Sequence, residues 1–246
     1  MTKKYELILD DTIDFWGWKL FRIRALISFG SVEVGDLGGY IQKEENLSHD
    51  DNAWVSGNAK VSGNAKVSGN AKVWGDAEVW GNAKVSGNAK VWGDAKVWGN
   101  AKVWGNAKVS GNAEVWGDAE VWGDAEVSGN AKVSGNAKVW GDAEVWGNAK
   151  VWGNAKVWGD AEVSGNAKVS GNAEVSELGD IIVFKNHWSS GRHFTYTKSN
   201  KMWKVGCFYG TGQELIEKAY RDSEKSGNYY KAYVDFVETL ERLSEE

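Results

Sequence analysis

Two sets of side chains in this 246-residue sequence have the types and spacing to do chemistry. The first is a line of charges. At intervals of 18 residues the chain carries Lys72, Lys90, Lys108, Glu126, Glu144 and Glu162, with Asp124, Asp142 and Asp160 two positions before the glutamates. If 18 is a stacking interval, one surface turns from basic to acidic halfway along. Like charges one strand apart repel, so the sorting predicts something that offsets the cost. The leading expectation is a second copy laid antiparallel, with Lys72, Lys90 and Lys108 facing Glu162, Glu144 and Glu126. A divalent cation on the acidic half is the alternative, and tandem copying of near-identical units would give the same run with no function.

The second set is aromatic. Of 16 tryptophans, 11 recur at the same interval, in rows such as Trp80, Trp98, Trp116 and Trp104, Trp122, Trp140, Trp158, with Trp74 and Trp92 as a shorter row. An exposed row of indoles is an apolar patch of the size that marks a partner, here self-association, a glycan or another planar ligand. If each indole covers the next, the row contributes stability alone. Ice binding fits poorly, because nearly every unit also points a Lys or Glu outward.

Groups suited to catalysis are few. The histidines His49, His187 and His193 all lie outside the repeated part of the chain, and the repeats offer a general base only Lys, Glu and Asp. The lone Cys207, next to Val205 and Phe208, is expected to be a small buried hydrophobe rather than a nucleophile. No Cys/His spacing suits a metal, and no glycine-rich loop suits a phosphate. No catalytic residue, metal or cofactor is therefore expected.

These side chains must be positioned by the repeat itself. From position 52 to 177 the sequence is 21 consecutive hexapeptides of the form [N/D]-A-[K/E]-V-[S/W]-G, interrupted only by Trp54 and Glu177. A helix would rotate the Ala/Val pair by 240° per unit and leave no apolar stripe. In a strand, Ala and Val two apart share one face, Lys/Glu and Ser/Trp share the other, and Gly with Asn/Asp turns a corner. So short a strand buries its Ala/Val edge only by stacking on its neighbours as a solenoid.

The register Val73, Ala77, Val79, Ala83, Val85 resembles the hexapeptide repeat of left-handed parallel β-helix proteins, the superfamily of trimeric hexapeptide acyltransferases. The resemblance implies triangular coils of three hexads, about seven of them, and a left-handed path. It also implies a histidine base on the coils and a loop protruding from one of them. Both are absent from these uninterrupted hexads, which places the chain in a branch without that catalytic equipment. Residues 20–55 resemble the leading segment of certain bacterial hexapeptide-repeat proteins. Residues 206–215, with the Tyr-rich segment after them, resemble a module of phage and prophage repeat proteins.

The expected architecture is mainly β. It comprises an N-terminal β cap (1–51, strands near 5–9 and 18–28, a turn-rich link at 35–40), the β-helix (52–177) and a C-terminal α+β module (178–246). The module is expected to hold strands at 181–184, 193–197 and 202–208. Thr211 and Glu214 form a capping box for a helix over 213–225 ended by Gly227, and a second helix follows over 228–243. A net charge of −5 and no basic patch exclude nucleic acid as the expected partner. One cysteine, no signal-peptide pattern and no long apolar stretch predict a cytoplasmic protein without membrane contact. The expected function is a non-enzymatic scaffold or interaction rod that self-associates as a dimer or trimer. An acyltransferase-like enzyme and a glycan-binding module are the alternatives.

Overall fold

The computed structural model describes residues 3–243. Strands β1 (Tyr5–Phe15) and β2 (Trp18–Ala25) form an antiparallel hairpin, and β3 (Leu37–Ile41) pairs antiparallel with β2. Each hexapeptide then contributes one two-residue strand, from β4 (Trp54–Val55) to β24 (Glu174–Val175). Each of these pairs in parallel with a strand three hexads away, so Lys90 lies beside Lys72 and Lys108, and Val91 beside Val73 and Val109. The result is a parallel β-solenoid with three faces. One face runs β4-β7-β10-β13-β16-β19-β22, the second β6-β9-β12-β15-β18-β21-β24, and the third continues from β3 through β5 to β23.

The chain makes about eight turns. The hexads supply seven, and β3 with Leu47 supplies one more, since Tyr40 and Ile41 pair with Lys60 and Val61 and Leu47 bridges Val67. The segment 35–40, expected as a turn-rich link, is therefore largely strand. Its two glycines permit close packing: a Cβ on Gly38 would lie 2.4 Å from Ile23 Cγ1, and one on Gly39 2.6 Å from the Ala59 carbonyl.

The interior is a column of Ala and Val, each at most 1% exposed. Its corners are glycines in the left-handed region, where an L side chain is strained. At Gly105 (φ +70°) a Cβ would also meet the Gly123 nitrogen at 2.9 Å, so corner stacks on corner with no room for a methyl.

The ladder has a direction. Each rung's N–H donates to the carbonyl of the next turn, as in Lys90 N to Ala107 O (2.9 Å) and Trp92 N to Val109 O (3.0 Å). The N-terminal end of the rod therefore presents unpaired carbonyls and the C-terminal end unpaired N–H groups, and buried groups of either kind must find partners. At the first end the partners are donors. Lys4 Nζ reaches Ala53 O (2.9 Å), Asn46 Nδ2 reaches Ala65 O (2.9 Å) and Gly63 O (3.2 Å), and the Tyr5 hydroxyl reaches Leu47 O (2.7 Å). At the other end they are acceptors. Thr195 Oγ1 takes Lys168 N–H (2.9 Å), Ser199 Oγ takes Glu174 N–H (2.9 Å), and Asp180 Oδ2 takes Ser176 N–H (2.7 Å).

The C-terminal module is an antiparallel meander, β25 (Ile181–Lys185), β26 (His193–Thr197), β27 (Met202–Val205) and β28 (Phe208–Thr211), followed by α1 (Gly212–Asp222) and α2 (Glu224–Leu243). Phe194, Tyr196, Trp203, Leu215, Tyr230 and Val234 form its core. The capping box forms as the spacing predicts, with Thr211 Oγ1 accepting from Glu214 N–H and Glu214 Oε2 accepting from Thr211 N–H at 2.8 Å.

Three local expectations are corrected. The run 202–208 is not one strand, because Gly206 and Cys207 form a two-residue hairpin turn between β27 and β28. Cys207 is in consequence exposed rather than buried. Gly227 does not end α1. The break falls at Ser223, whose backbone is extended, and Gly227 is buried in the first turn of α2, where a Cβ would lie 2.2 Å from the Tyr220 ring.

Candidate functional site

The charge column lies in register on the face β4-β7-β10-β13-β16-β19-β22: Lys72, Lys90, Lys108, Glu126, Glu144 and Glu162 occupy successive rungs. Basic meets acidic once, in the Lys108–Glu126 ion pair, and the hydrogen bond to Glu126 holds the Lys108 ammonium above its ordinary pKa. Lys72 Nζ donates to Ser31 Oγ at 3.1 Å. Among the described residues, Lys90, Glu144 and Glu162 make no ion pair.

On the other two faces no two glutamates are adjacent, although lysines run together at Lys66, Lys84 and Lys102 and at Lys132, Lys150 and Lys168. Glu78 sits between Lys60 (3.9 Å) and Lys96 (3.6 Å), and Glu120 between Lys102 (2.9 Å) and Lys138 (3.7 Å). Adjacent glutamates thus occur, among the described residues, on one face of the rod alone. The acidic half gathers no group of three ligating side chains that could hold a metal ion among the described residues.

The tryptophan rows are ladders. Trp80, Trp98 and Trp116 stack with centroids 4.9 Å apart and planes within 3°. Trp104, Trp122, Trp140 and Trp158 continue the same geometry over four rungs, and Trp74 pairs with Trp92 at 5.0 Å. Apart from Trp146 at 42% exposed, all these hexad indoles are half-buried. Each covers its neighbour's face, so edges point outward and faces open only where a ladder ends. The tip of the first hairpin closes one such end, Trp16 meeting Trp80 edge to face at 5.3 Å. Corner amides form a parallel ladder, as in Asn70 Nδ2 to Asn88 Oδ1 (3.0 Å) and Asn106 Nδ2 to Asp124 Oδ1 (2.9 Å).

The histidines are placed apart. His49 lies against the Tyr5 ring (4.3 Å between centroids), accepts Lys4 N–H at 3.2 Å, and has its pKa lowered chiefly by burial. His187 follows β25 beside the Tyr233 hydroxyl (3.5 Å), and His193 opens β26.

Sequence reasoning passed over a groove of about 520 Å³ near the C-terminal end of the third face, lined by Trp116, Ser134, Trp152, Lys150, Lys168 and Lys204 among others. Cys207 lies at its rim. Lys132 and Lys204 hold their ammonium groups over the Trp116 and Trp152 rings, at 5.9 and 5.5 Å from the centroids. The signal was present in the sequence: Lys132, Lys150 and Lys168 recur at 18-residue spacing, and Ser134 interrupts a tryptophan row. Lys204 was not foreseeable, since it comes from the C-terminal sheet. No protein-family model matches the chain, and no curated protein matches it significantly.

Proposed function

We propose that the protein is a non-enzymatic scaffold, a rigid rod of the left-handed hexapeptide-repeat class found in bacteria and their phages, which self-associates through its sorted face. The carrying observation is the contrast between faces. On the other two faces each glutamate of the repeat, Glu78, Glu114, Glu120 and Glu174, has at least one lysine of its own chain within 4 Å. On the sorted face three lysines and three glutamates adjoin at a single junction, leaving Lys90, Glu144 and Glu162 without an ion pair among the described residues. An antiparallel second copy meets the same rung spacing with the opposite order of charge, so Lys72, Lys90 and Lys108 face Glu162, Glu144 and Glu126. One exposed pair contributes about 1 kcal/mol or less, so the set of pairs sets register and the surrounding surface supplies the rest.

Sedimentation at several protein concentrations tests this. A dimer in low salt that dissociates in high salt is expected. Reversal of Lys72, Lys90 and Lys108 to Glu should give a monomer, and additional reversal of Glu126, Glu144 and Glu162 to Lys should restore the dimer. A monomer at every concentration in low salt, or a dimer untouched by the triple reversal, overturns the proposal.

A further inference from the structure

The third corner of the rod carries, rung by rung, Ser62, Trp80, Trp98, Trp116, Ser134, Trp152 and Ser170. Ser134 is the only single-rung gap between two tryptophans in the repeat; the Trp92 and Trp146 rungs are separated by two serines, and the Trp104 row has no gap. Adjacent indoles here stack parallel with a centroid step of 4.9 Å. Leaving one out opens a slot one aromatic ring high, with Trp116 above, Trp152 below and the small Ser134 side chain at its floor. Both walls line the groove of about 520 Å³.

The charged side chains that line the slot are lysines. Lys132 is engaged by Glu114 at 2.9 Å, but among the described residues Lys150, Lys168 and Lys204 make no ion pair. Lys150 and Lys168 stand on adjacent rungs. The Lys168 ammonium has its pKa lowered, first by burial and then by Lys150, Lys204 and Arg192, the signature of a crowded positive site. The charged groups that face it from the rod and from the C-terminal sheet are cations, with the Cys207 thiol, a smaller opposing influence, at the rim. An aromatic slot alone would suit many apolar rings. Joined to these lysines, it suits a ring that carries negative charge.

We propose that the Ser134 slot binds a planar aromatic anion, its ring held between Trp116 and Trp152 and its anionic group on Lys150, Lys168 and Lys204. Nucleoside phosphates and aryl carboxylates share this chemistry. Binding displaces the Lys132 ammonium from the Trp116 face, replacing a cation–π contact by ring stacking. The slot does not lie on the sorted charge face, so the inference stands whether or not the rods pair.

Calorimetric titration of the full chain tests it with four probes: adenosine 5′-monophosphate, adenosine, inorganic phosphate and 2-naphthoate. One or both aromatic anions should bind at least about tenfold more tightly than adenosine or phosphate, the size of one base–aromatic stacking contact. Adenosine 5′-monophosphate alone identifies the nucleotide source, and 2-naphthoate alone the aryl acid. Ser134→Trp fills the slot with the residue its neighbours already carry, completes a five-indole ladder and keeps the fold. It should weaken binding of the aromatic anion by roughly tenfold or more. Lys150→Glu with Lys168→Glu should do the same while leaving the slot open. Failure of both aromatic anions to bind, phosphate binding as tightly as they do, or undiminished binding by Ser134→Trp overturns the proposal.

Discussion

The two ends of the rod solve opposite problems. A parallel solenoid points every ladder N–H the same way, so one end is all acceptor and the other all donor. The N-terminal cap brings an ammonium, an amide and a phenol to the carbonyls of the first turns. The C-terminal module brings two hydroxyls and a carboxylate to the N–H groups of the last turns. Closing a solenoid therefore takes more than apolar cover: the polar groups must match the direction of the chain, and caps exchanged end for end would fail. The cost of each mismatch follows from burial and charge.

The largest effect is expected where polarity is inverted with no change of shape. Asn46 is fully buried, donates to Gly63 O and Ala65 O, and accepts Lys43 N–H at 2.9 Å. Asn46→Asp sets a carboxylate against two carbonyl oxygens and should cost about 3–5 kcal/mol at neutral pH. The loss should shrink near pH 4, where a protonated carboxyl again donates one bond. Urea unfolding at both pH values measures it, and equal losses would show that donor character is not what the site requires.

The C-terminal end should respond less at Thr195, whose acceptor is a neutral hydroxyl serving one N–H. Thr195→Val keeps the shape of a fully buried side chain and removes the acceptor for Lys168 N–H. A loss of about 1–3 kcal/mol is expected, the cost of one buried unpaired donor. Amide exchange should accelerate at Lys168 and stay unchanged in the first turns. Acceleration at both ends would mean that the rod transmits the defect along its length.

What the sequence made legible follows the same division. Period, face assignment, corner glycines and the 18-residue stacking of Lys, Glu and Trp are local properties of one unit repeated, so position 72 predicts its neighbours at 54 and 90. The charge column and the tryptophan rows were readable for that reason. The ends were not, because Lys4 reads as an ordinary surface lysine and Thr195 as an ordinary strand residue until the direction of the ladder is known. Cys207 and Gly227 were misplaced on the same ground. A two-residue turn and a ring packed flat on a helix are tertiary facts, and local propensity pointed to a continuous strand and a helix stop. Residues 244–246 lie outside the described part of the expected module.

The acceptor end should also carry a pH signature of its own. Lys4 is 1% exposed, and burial lowers its pKa from the ordinary 10.5 to about 8, against the smaller opposing pull of Asp51 and Asp50. Between these values the unfolded chain holds a proton that the folded chain has released, so stability rises with pH. Below pH 8 the burial penalty is felt in full. Tyr5 acts with the opposite sign. Burial, then Glu44 and Glu45, raise its pKa, so above the ordinary 10.0 the unfolded chain ionises first and stability falls. The two groups together predict a rise of about 1–2 kcal/mol between pH 8 and 10, then a decline. Lys4→Met removes the titrating ammonium and should reduce the rise to the part that buried Lys168 contributes while keeping the decline, and Tyr5→Phe should keep the rise and lessen the decline, which Tyr196 and Tyr230 share because burial raises their pKa too. Urea midpoints across this range for the three proteins decide the matter. A rise that persists undiminished in Lys4→Met would assign it to another group and leave Lys4 charged, with its carbonyl contacts alone bearing the cost of burial.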